Sequence, residues 1–300
     1  MLLNCYYFGP QYHTLLPKHL DWDLQNMAKM GTDIVSFCME EPYASDSQLM
    51  IHYHTKVRHI IDRIHKHGME AHAVPSRWGR LVAGWIDGTS LWTLKNANTL
   101  VNRGDPEVST DLVCDPCNGR VIEHFRVNLK ELVITLGFDG IVWDEPRPPA
   151  ADVATLLDDL SGYVKSLRSE VTISLFAEAG TLAFAHDLAK TKHIDYLGAD
   201  GHLRSEDHHM ARMKNTIFTT HDYFTPVLKK AGKKTFFLIE GQRHRDENLD
   251  NYLENVGRAF SLPMDQLMYY YCAHEMNMEN GEVMTEATWK EVCRIAYLKK

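Results

Sequence analysis

Two apolar segments of the sequence each end abruptly in carboxylate side chains. One is Gly-Phe-Asp-Gly-Ile-Val-Trp-Asp-Glu-Pro-Arg, from Gly137 to Arg147, and the other is Thr-Phe-Phe-Leu-Ile-Glu-Gly-Gln, from Thr235 to Gln242. A short apolar run is typical of a buried strand, so an acid at its end leaves the packed interior and faces a cleft. Two carboxylates brought together in a cleft could cleave a glycosidic bond: one protonates the leaving oxygen and the other faces the anomeric carbon.

The first segment carries two adjacent acids, and their order matters. A catalytic acid must keep its proton near neutral pH, and burial beside aromatic rings or near a second carboxylate raises the pKa of such a group. Glu145 follows Trp143 by two residues and Asp144 directly, so we expect Glu145 to be the acid. Because adjacent residues of a strand point to opposite sides, Asp144 and Glu145 should differ in role.

Eight apolar or aromatic-rich runs predict strands, and helical patterns lie between them. The helical patterns cover Val57–Ile64, Ile122–Leu136, Val153–Val164 and Leu249–Phe260. Four glycines, Gly31, Gly68, Gly137 and Gly232, stand where a helix should stop before the next strand. The predicted strands are Leu2–Phe8, Asp33–Met39, Glu70–Val74, Gly140–Trp143, Val171–Phe176, Ile194–Leu197, Thr235–Ile239 and Gln266–Cys272.

Eight strands alternating with helices predict an α/β fold of the (β/α)8 TIM-barrel type, formed by residues 1–300 as a single domain. An open doubly wound sheet would more often place a glycine-rich phosphate turn after the first strand, and Gly9-Pro10-Gln11-Tyr12 is not such a turn. The connection from Pro75 to Asn118 is long and carries Trp78, Trp85 and Trp92, and long connections are usually functional. The tryptophans suit either stacking on sugar rings or the buried face of a helix.

Composition limits the classes of function. The 300 residues carry a net charge of −8, which disfavours a nucleic-acid partner. No signal-peptide pattern and no apolar run near the roughly 20 residues of a membrane span is present, so we expect a cytoplasmic protein without a membrane partner. The six cysteines are scattered, which favours reduced thiols, and Cys114-Asp-Pro-Cys117 alone is too few ligands for structural zinc. We expect no cofactor and no bound metal.

A barrel places its active site at the C-terminal ends of its strands, so the residues that follow the predicted strands are the candidates. Asp144, Glu145 and Glu240 are the predicted catalytic residues. For Asp144 and Glu145, the structural alternative is an ion pair with Arg147 or a cap on the next helix. For Glu240 it is an ion pair with Arg243 or Arg245. The predicted substrate-binding residues are Tyr12, Glu40, Arg77, Trp78, Trp143, Arg147, Glu178, Asp200, His202 and His274.

Trp143-Asp144-Glu145-Pro146 resembles the Asn-Glu-Pro signature that closes the fourth strand in the clan A superfamily of retaining glycoside hydrolases. Ile239-Glu240-Gly241 resembles the second signature of that clan, on the seventh strand. The stretch from Val113 to Pro146 is also similar to uncharacterised glycosidase-like barrels. The resemblance implies that Glu145 is the acid/base and Glu240 the nucleophile of a retaining mechanism on a carbohydrate substrate. Asp144 departs from the signature, which has an asparagine that binds the sugar 2-hydroxyl.

Three other functions remain open. The α-glycosidase barrels use a fourth-strand aspartate as nucleophile and a sixth-strand aspartate as acid/base, which Asp144 and Asp200 would match. Glu178, Asp200, Glu240, His202 and His274 could instead bind a divalent cation, as in sugar-isomerase barrels. A carbohydrate-binding barrel without chemistry is the non-enzymatic alternative. The sequence gives no indication of the oligomeric state.

Overall fold

A computed structural model describes residues 1–7, 17–41, 47–83, 91–103, 112–178, 182–202, 216–240, 254–255 and 257–271. Eight parallel strands close into a barrel, in which each strand pairs with the next along the chain and the last pairs with the first. The (β/α)8 prediction is therefore confirmed. The barrel strands are β1 (Leu2–Tyr7), β2 (Ile34–Met39), β3 (Glu70–Pro75), β6 (Gly140–Asp144), β7 (Thr172–Ala177), β8 (Tyr196–His202), β9 (Lys234–Glu240) and β10 (Gln266–Tyr271).

Helices connect successive strands, and each has an apolar face that packs on the outside of the barrel. The helix Thr216–Lys230 contains Pro226 in its interior. In the described parts of the chain, none of the helices is long and apolar enough to cross a bilayer. The helices are α1 (Pro17–Lys29), α2 (Ser47–Lys66), α3 (Leu91–Lys95), α4 (Gly119–Lys130), α5 (Ala151–Leu167), α6 (Leu182–Leu188) and α7 (Thr216–Lys230).

Successive strand residues alternate between the barrel interior and the layer between strands and helices. Tyr6, Val142 and Phe176 belong to the apolar cluster that fills the interior. Trp143 points the other way, where it is fully buried and its indole N–H donates to Ser161 Oγ of α5 at 3.0 Å. This alternation decides which strand-end side chains can reach the mouth of the barrel.

All eight predicted strands are confirmed, and most ends differ by at most one residue. The exception is the sixth, predicted over Ile194–Leu197, which spans Tyr196–His202. The four glycines predicted to end helices have positive φ, which a left-handed helix end requires. The sequence missed an antiparallel hairpin within the long connection, formed by β4 (Leu100–Asn102) and β5 (Leu112–Cys114). Strands of three residues are too short for a periodic pattern. Half of the helix predicted over Leu249–Phe260 lies outside the described residues, and residues 254–255 and 257–259 are helical.

Cys114 and Cys117 lie in different environments. Both are free; Cys114 is buried and Cys117 is exposed. Burial raises the pKa of the Cys114 thiol, although its hydrogen bonds with Thr99 and Thr93 oppose that shift. The reactive thiolate of Cys114 is therefore both scarce and shielded.

We expect iodoacetamide to alkylate Cys117 in the native protein while Cys114 stays unmodified, as followed by peptide mass spectrometry. In guanidinium chloride both cysteines should react, which shows that shielding by the fold causes the difference. Equal native rates at the two cysteines would contradict this account.

Candidate active site

Three neighbouring strands deliver carboxylates to the C-terminal face of the barrel. β6 ends at Asp144, which Glu145 follows; Glu178 follows β7, and Asp200 lies near the end of β8. Asp144 and Asp200 are almost completely buried, with 4% and 2% of their surfaces exposed. The side chain of Glu178 is 40% exposed, so these carboxylates range from the barrel interior to the solvent at its mouth.

Asp144 points into the barrel and is held from the opposite wall. The Tyr6 hydroxyl, from β1, donates to Asp144 Oδ2 at 2.6 Å. Cys38 Sγ, from β2, lies 3.0 Å from the same hydroxyl oxygen. Because the single Tyr6 proton is directed at Asp144, the Cys38 thiol is the donor to Tyr6. The result is a buried chain from Cys38 through Tyr6 to Asp144 that fixes the orientation of the Asp144 carboxylate.

Glu145 leaves the strand in a different way. Its backbone N–H still donates to Phe176 O at 2.9 Å, continuing the ladder with β7, but its φ of 40° is left-handed. Its carboxylate accepts from Arg147 Nη2 at 2.6 Å. The same nitrogen lies 2.9 Å from Glu178 Oε2. The ion pair named above as the structural alternative for Glu145 is thus present, and it includes Glu178.

The segment after β3 is bonded to the end of β6. The Ala83 N–H donates to Asp144 O at 2.8 Å and to Glu145 O at 3.2 Å, and the Arg147 N–H donates to Leu81 O at 2.9 Å. Arg77 and Arg80, in this segment, have φ of 61° and 57°. Among the described residues, these two arginines and Glu145 are the non-glycine residues with positive φ. Strained backbone of this kind concentrates at functional sites.

The structure overturns the predictions for two tryptophans. Trp78 is 1% exposed, donates its indole N–H to Met39 O at 3.0 Å, and packs edge-on against Phe125. Trp143 is buried against α5, as described above. Neither ring can contact a substrate, because each belongs to the packed layer outside the strands. For Trp143 the sequence held a usable signal: if Asp144 points inward, its neighbour must point outward.

The end of β2 carries a buried pair that sequence reasoning did not bring together. Glu41 Oε2 lies 3.0 Å from His124 Nε2, and both side chains are about 95% buried, at 6% and 5% exposure. The His124 ring stacks on Trp92, with centroids 4.1 Å apart. Glu40, predicted to bind substrate, is exposed beside this pair. The burial of Tyr53, and then the charge of Glu40, raise the pKa of Tyr53.

For several other predicted site residues, the structure describes the backbone alone or does not describe the residue. Glu240 is the last residue of β9 and pairs with His202 of β8, but their side chains are outside what the structure describes. Tyr12 and His274 lie outside the described residues altogether. Within the described ranges, no group of three or more His, Cys, Asp or Glu side chains is arranged to hold a metal ion.

The sequence matches no family model and no curated protein. Its structure is similar to several solved structures. One is an endo-1,4-β-mannanase from Rhizomucor miehei, with a TM-score of 0.66 and 13% identity, covering 98% of this chain and 96% of that one. Another is an endo-β-1,4-mannanase from Thermotoga petrophila, with a TM-score of 0.66 and 10% identity, covering 99% and 76%. A third is a Pseudomonas stutzeri endoglucanase, with a TM-score of 0.64 and 10% identity, covering 98% and 94%. At these identities the similarity establishes the TIM-barrel fold.

Proposed function

We propose that this protein is a glycoside hydrolase. The observation that carries the proposal is the set of carboxylates at three neighbouring strand ends: Asp144, Glu145, Glu178 and Asp200. Acids at the C-terminal face of a (β/α)8 barrel are usually catalytic, and glycosidic cleavage needs two of them. The solved structures that the chain resembles include two mannanases and an endoglucanase, which supports a carbohydrate substrate.

In the proposed retaining mechanism, Glu145 gives its proton to the glycosidic oxygen as the bond to the anomeric carbon breaks. Glu240 forms a bond to that carbon, giving a glycosyl-enzyme. Glu145, now ionised, takes a proton from water, and the water oxygen displaces Glu240. The ion pair with Arg147 matches the ionised Glu145 of this second step. In the first step the carbonyl oxygen of the protonated Glu145 still accepts from Arg147, while its hydroxyl donates to the glycosidic oxygen.

Asp144 is proposed to orient the substrate. Its carboxylate is fixed by Tyr6 and by its position in the strand, so a sugar hydroxyl would meet an acceptor whose direction is already set. Arg77, Arg147 and Glu178 would line the outer part of the same site, with Tyr12, Glu40, His202 and His274 as further candidates. The binding surface for the sugar ring is then polar on the β6 and β7 side, because Trp78 and Trp143 do not contribute.

One observation favours a second assignment within the same class of enzyme. Asp144 and Asp200 occupy the buried ends of the fourth and sixth barrel strands, which is where an α-glycosidase-type barrel would have its nucleophile and its acid/base. In this assignment Asp144 would attack the anomeric carbon and Asp200 would protonate the leaving oxygen.

A screen of 4-nitrophenyl glycosides in both anomeric series tests the proposal, with product configuration followed by proton NMR. We expect release of 4-nitrophenol from a β-linked substrate with retention of configuration. Glu240→Gln should abolish it, and Asp200→Asn should leave most of it. Activity on α-linked substrates that is lost with Asp144→Asn and Asp200→Asn would instead establish the second assignment. Sugar binding without turnover on any substrate would make the protein a non-catalytic carbohydrate-binding barrel.

A further inference from the structure

We infer that Arg147 is a positioning residue for Glu145, and that Glu178 is an outer carboxylate that binds the substrate. This inference rests on the proposed function. It concerns one cluster, the Arg147 triad, which consists of Arg147, Glu145 and Glu178.

The backbone explains why Glu145 needs a positioning residue. A residue inside a strand has its side-chain direction set by the ladder, but Glu145 has a φ of 40° and lies past the last residue of β6. The ladder therefore fixes its N–H, through Phe176 O, and leaves the carboxylate to be directed by a side-chain contact. Arg147 supplies that contact at 2.6 Å.

Arg147 is itself well fixed. Its N–H is bonded to Leu81 O, which ties it to the segment after β3, and its side chain is only 16% exposed. Glu145 is similarly sheltered, at 13%. A charged hydrogen bond between two sheltered, fixed groups sets geometry far better than one between mobile surface groups.

One nitrogen of Arg147 contacts both carboxylates, so the two acids share one cation and the triad has a net charge of −1 when both are ionised. Glu178 is the exposed partner at 40%, and solvent or a sugar hydroxyl can reach it. A substrate hydroxyl that donates to Glu178 would weaken the contact between Glu178 and the shared nitrogen. Arg147 would then be directed at Glu145. Substrate binding and the placement of Glu145 would then be coupled.

Kinetics on an alkyl glycoside of the sugar preferred in the screen separate these roles. Arg147→Met keeps an unbranched, flexible side chain but removes the guanidinium and its charge, so we expect kcat to fall about 10²-fold with KM changed little, as for a misplaced catalytic group. Arg147→Lys should recover part of that loss, since it keeps the charge but not the planar fork. Glu178→Gln should instead raise KM by about tenfold, because a neutral amide oxygen accepts from a hydroxyl more weakly than a carboxylate does.

Arg168→Met is the matched control. Arg168 also pairs with acids, Glu170 and Asp139, and it follows the end of α5 on the opposite face of the barrel. Its loss should leave both kcat and KM unchanged. If Arg147→Met leaves kcat intact, or changes KM alone, Arg147 does not position Glu145.

A crystal structure of Arg147→Met tests the positioning directly and needs no activity. We expect the Glu145 carboxylate to turn away from its place beside β7 while the Glu145 N–H keeps its bond to Phe176 O. An unmoved carboxylate would overturn the inference. If the carboxylate moves but Glu145→Gln keeps full activity, Arg147 does position Glu145, and the proposed catalytic role of Glu145 is wrong. Failure of the inference and failure of the proposed function can therefore be told apart.

Discussion

Replacing Glu145 with glutamine should lower kcat/KM on an alkyl glycoside by about 10²- to 10⁴-fold, the usual contribution of a general acid or base. The amide has nearly the shape of the carboxylic acid and can keep a contact with the mouth of the barrel, but it cannot transfer a proton. An alkoxide leaving group depends on that proton, whereas 4-nitrophenolate departs without it. The loss should therefore be much smaller on the 4-nitrophenyl glycoside of the same sugar.

Two controls make this result specific. Glu170→Gln changes the same functional group at an exposed position that pairs with Arg168, and its activity should equal that of the unaltered protein. Circular dichroism should show that the Glu145→Gln protein is folded and unfolds on heating as the unaltered protein does. If the two substrates lose activity equally, Glu145 is not the acid. In that case Asp200→Asn should reproduce the dependence on the leaving group.

Much of the barrel could be predicted because strands buried on both faces leave a continuous apolar signal. The acids at strand ends could be predicted for the same reason, since they interrupt that signal. What the sequence could not give is contacts across the closed barrel. Tyr6 and Asp144 are 138 positions apart and on strands separated by two others, so only closure of the sheet brings them together. Tyr6 and Cys38 carried no motif that could single them out.

The tryptophan predictions were wrong for a related reason. The sequence shows where an aromatic ring occurs. Which side of the barrel wall it faces depends on its place in the alternation of the strand and on the path of the connection that follows. Trp78 follows β3 through Arg77, whose left-handed backbone turns the chain back toward Met39 and Phe125. An arginine gives no signal for such a turn, because any residue can be forced into it at a cost of about 1–3 kcal/mol.

Gly198→Ala should destabilise the protein severely, by more than about 4 kcal/mol. Gly198 lies in β8 opposite Phe236 of β9, and a Cβ added there would lie 1.5 Å from the Phe236 carbonyl oxygen. That oxygen belongs to the backbone of a neighbouring barrel strand, so it cannot move aside without breaking the β8–β9 ladder. We expect a large decrease in the midpoint of urea unfolding, or insoluble expression.

Gly119→Ala is the matched control, because it makes the same chemical change where there is room. Gly119 is the first residue of α4, its φ is not positive, and a Cβ there would meet no heavy atom within 4 Å. Alanine should stabilise the protein by about 0.4–1 kcal/mol, since it restricts the unfolded chain. A Gly198→Ala protein that unfolds at the same urea concentration as the unaltered chain would contradict the close approach of β8 and β9. Asp200, two residues further along β8, would then lack the rigid support that the second assignment of the active site requires.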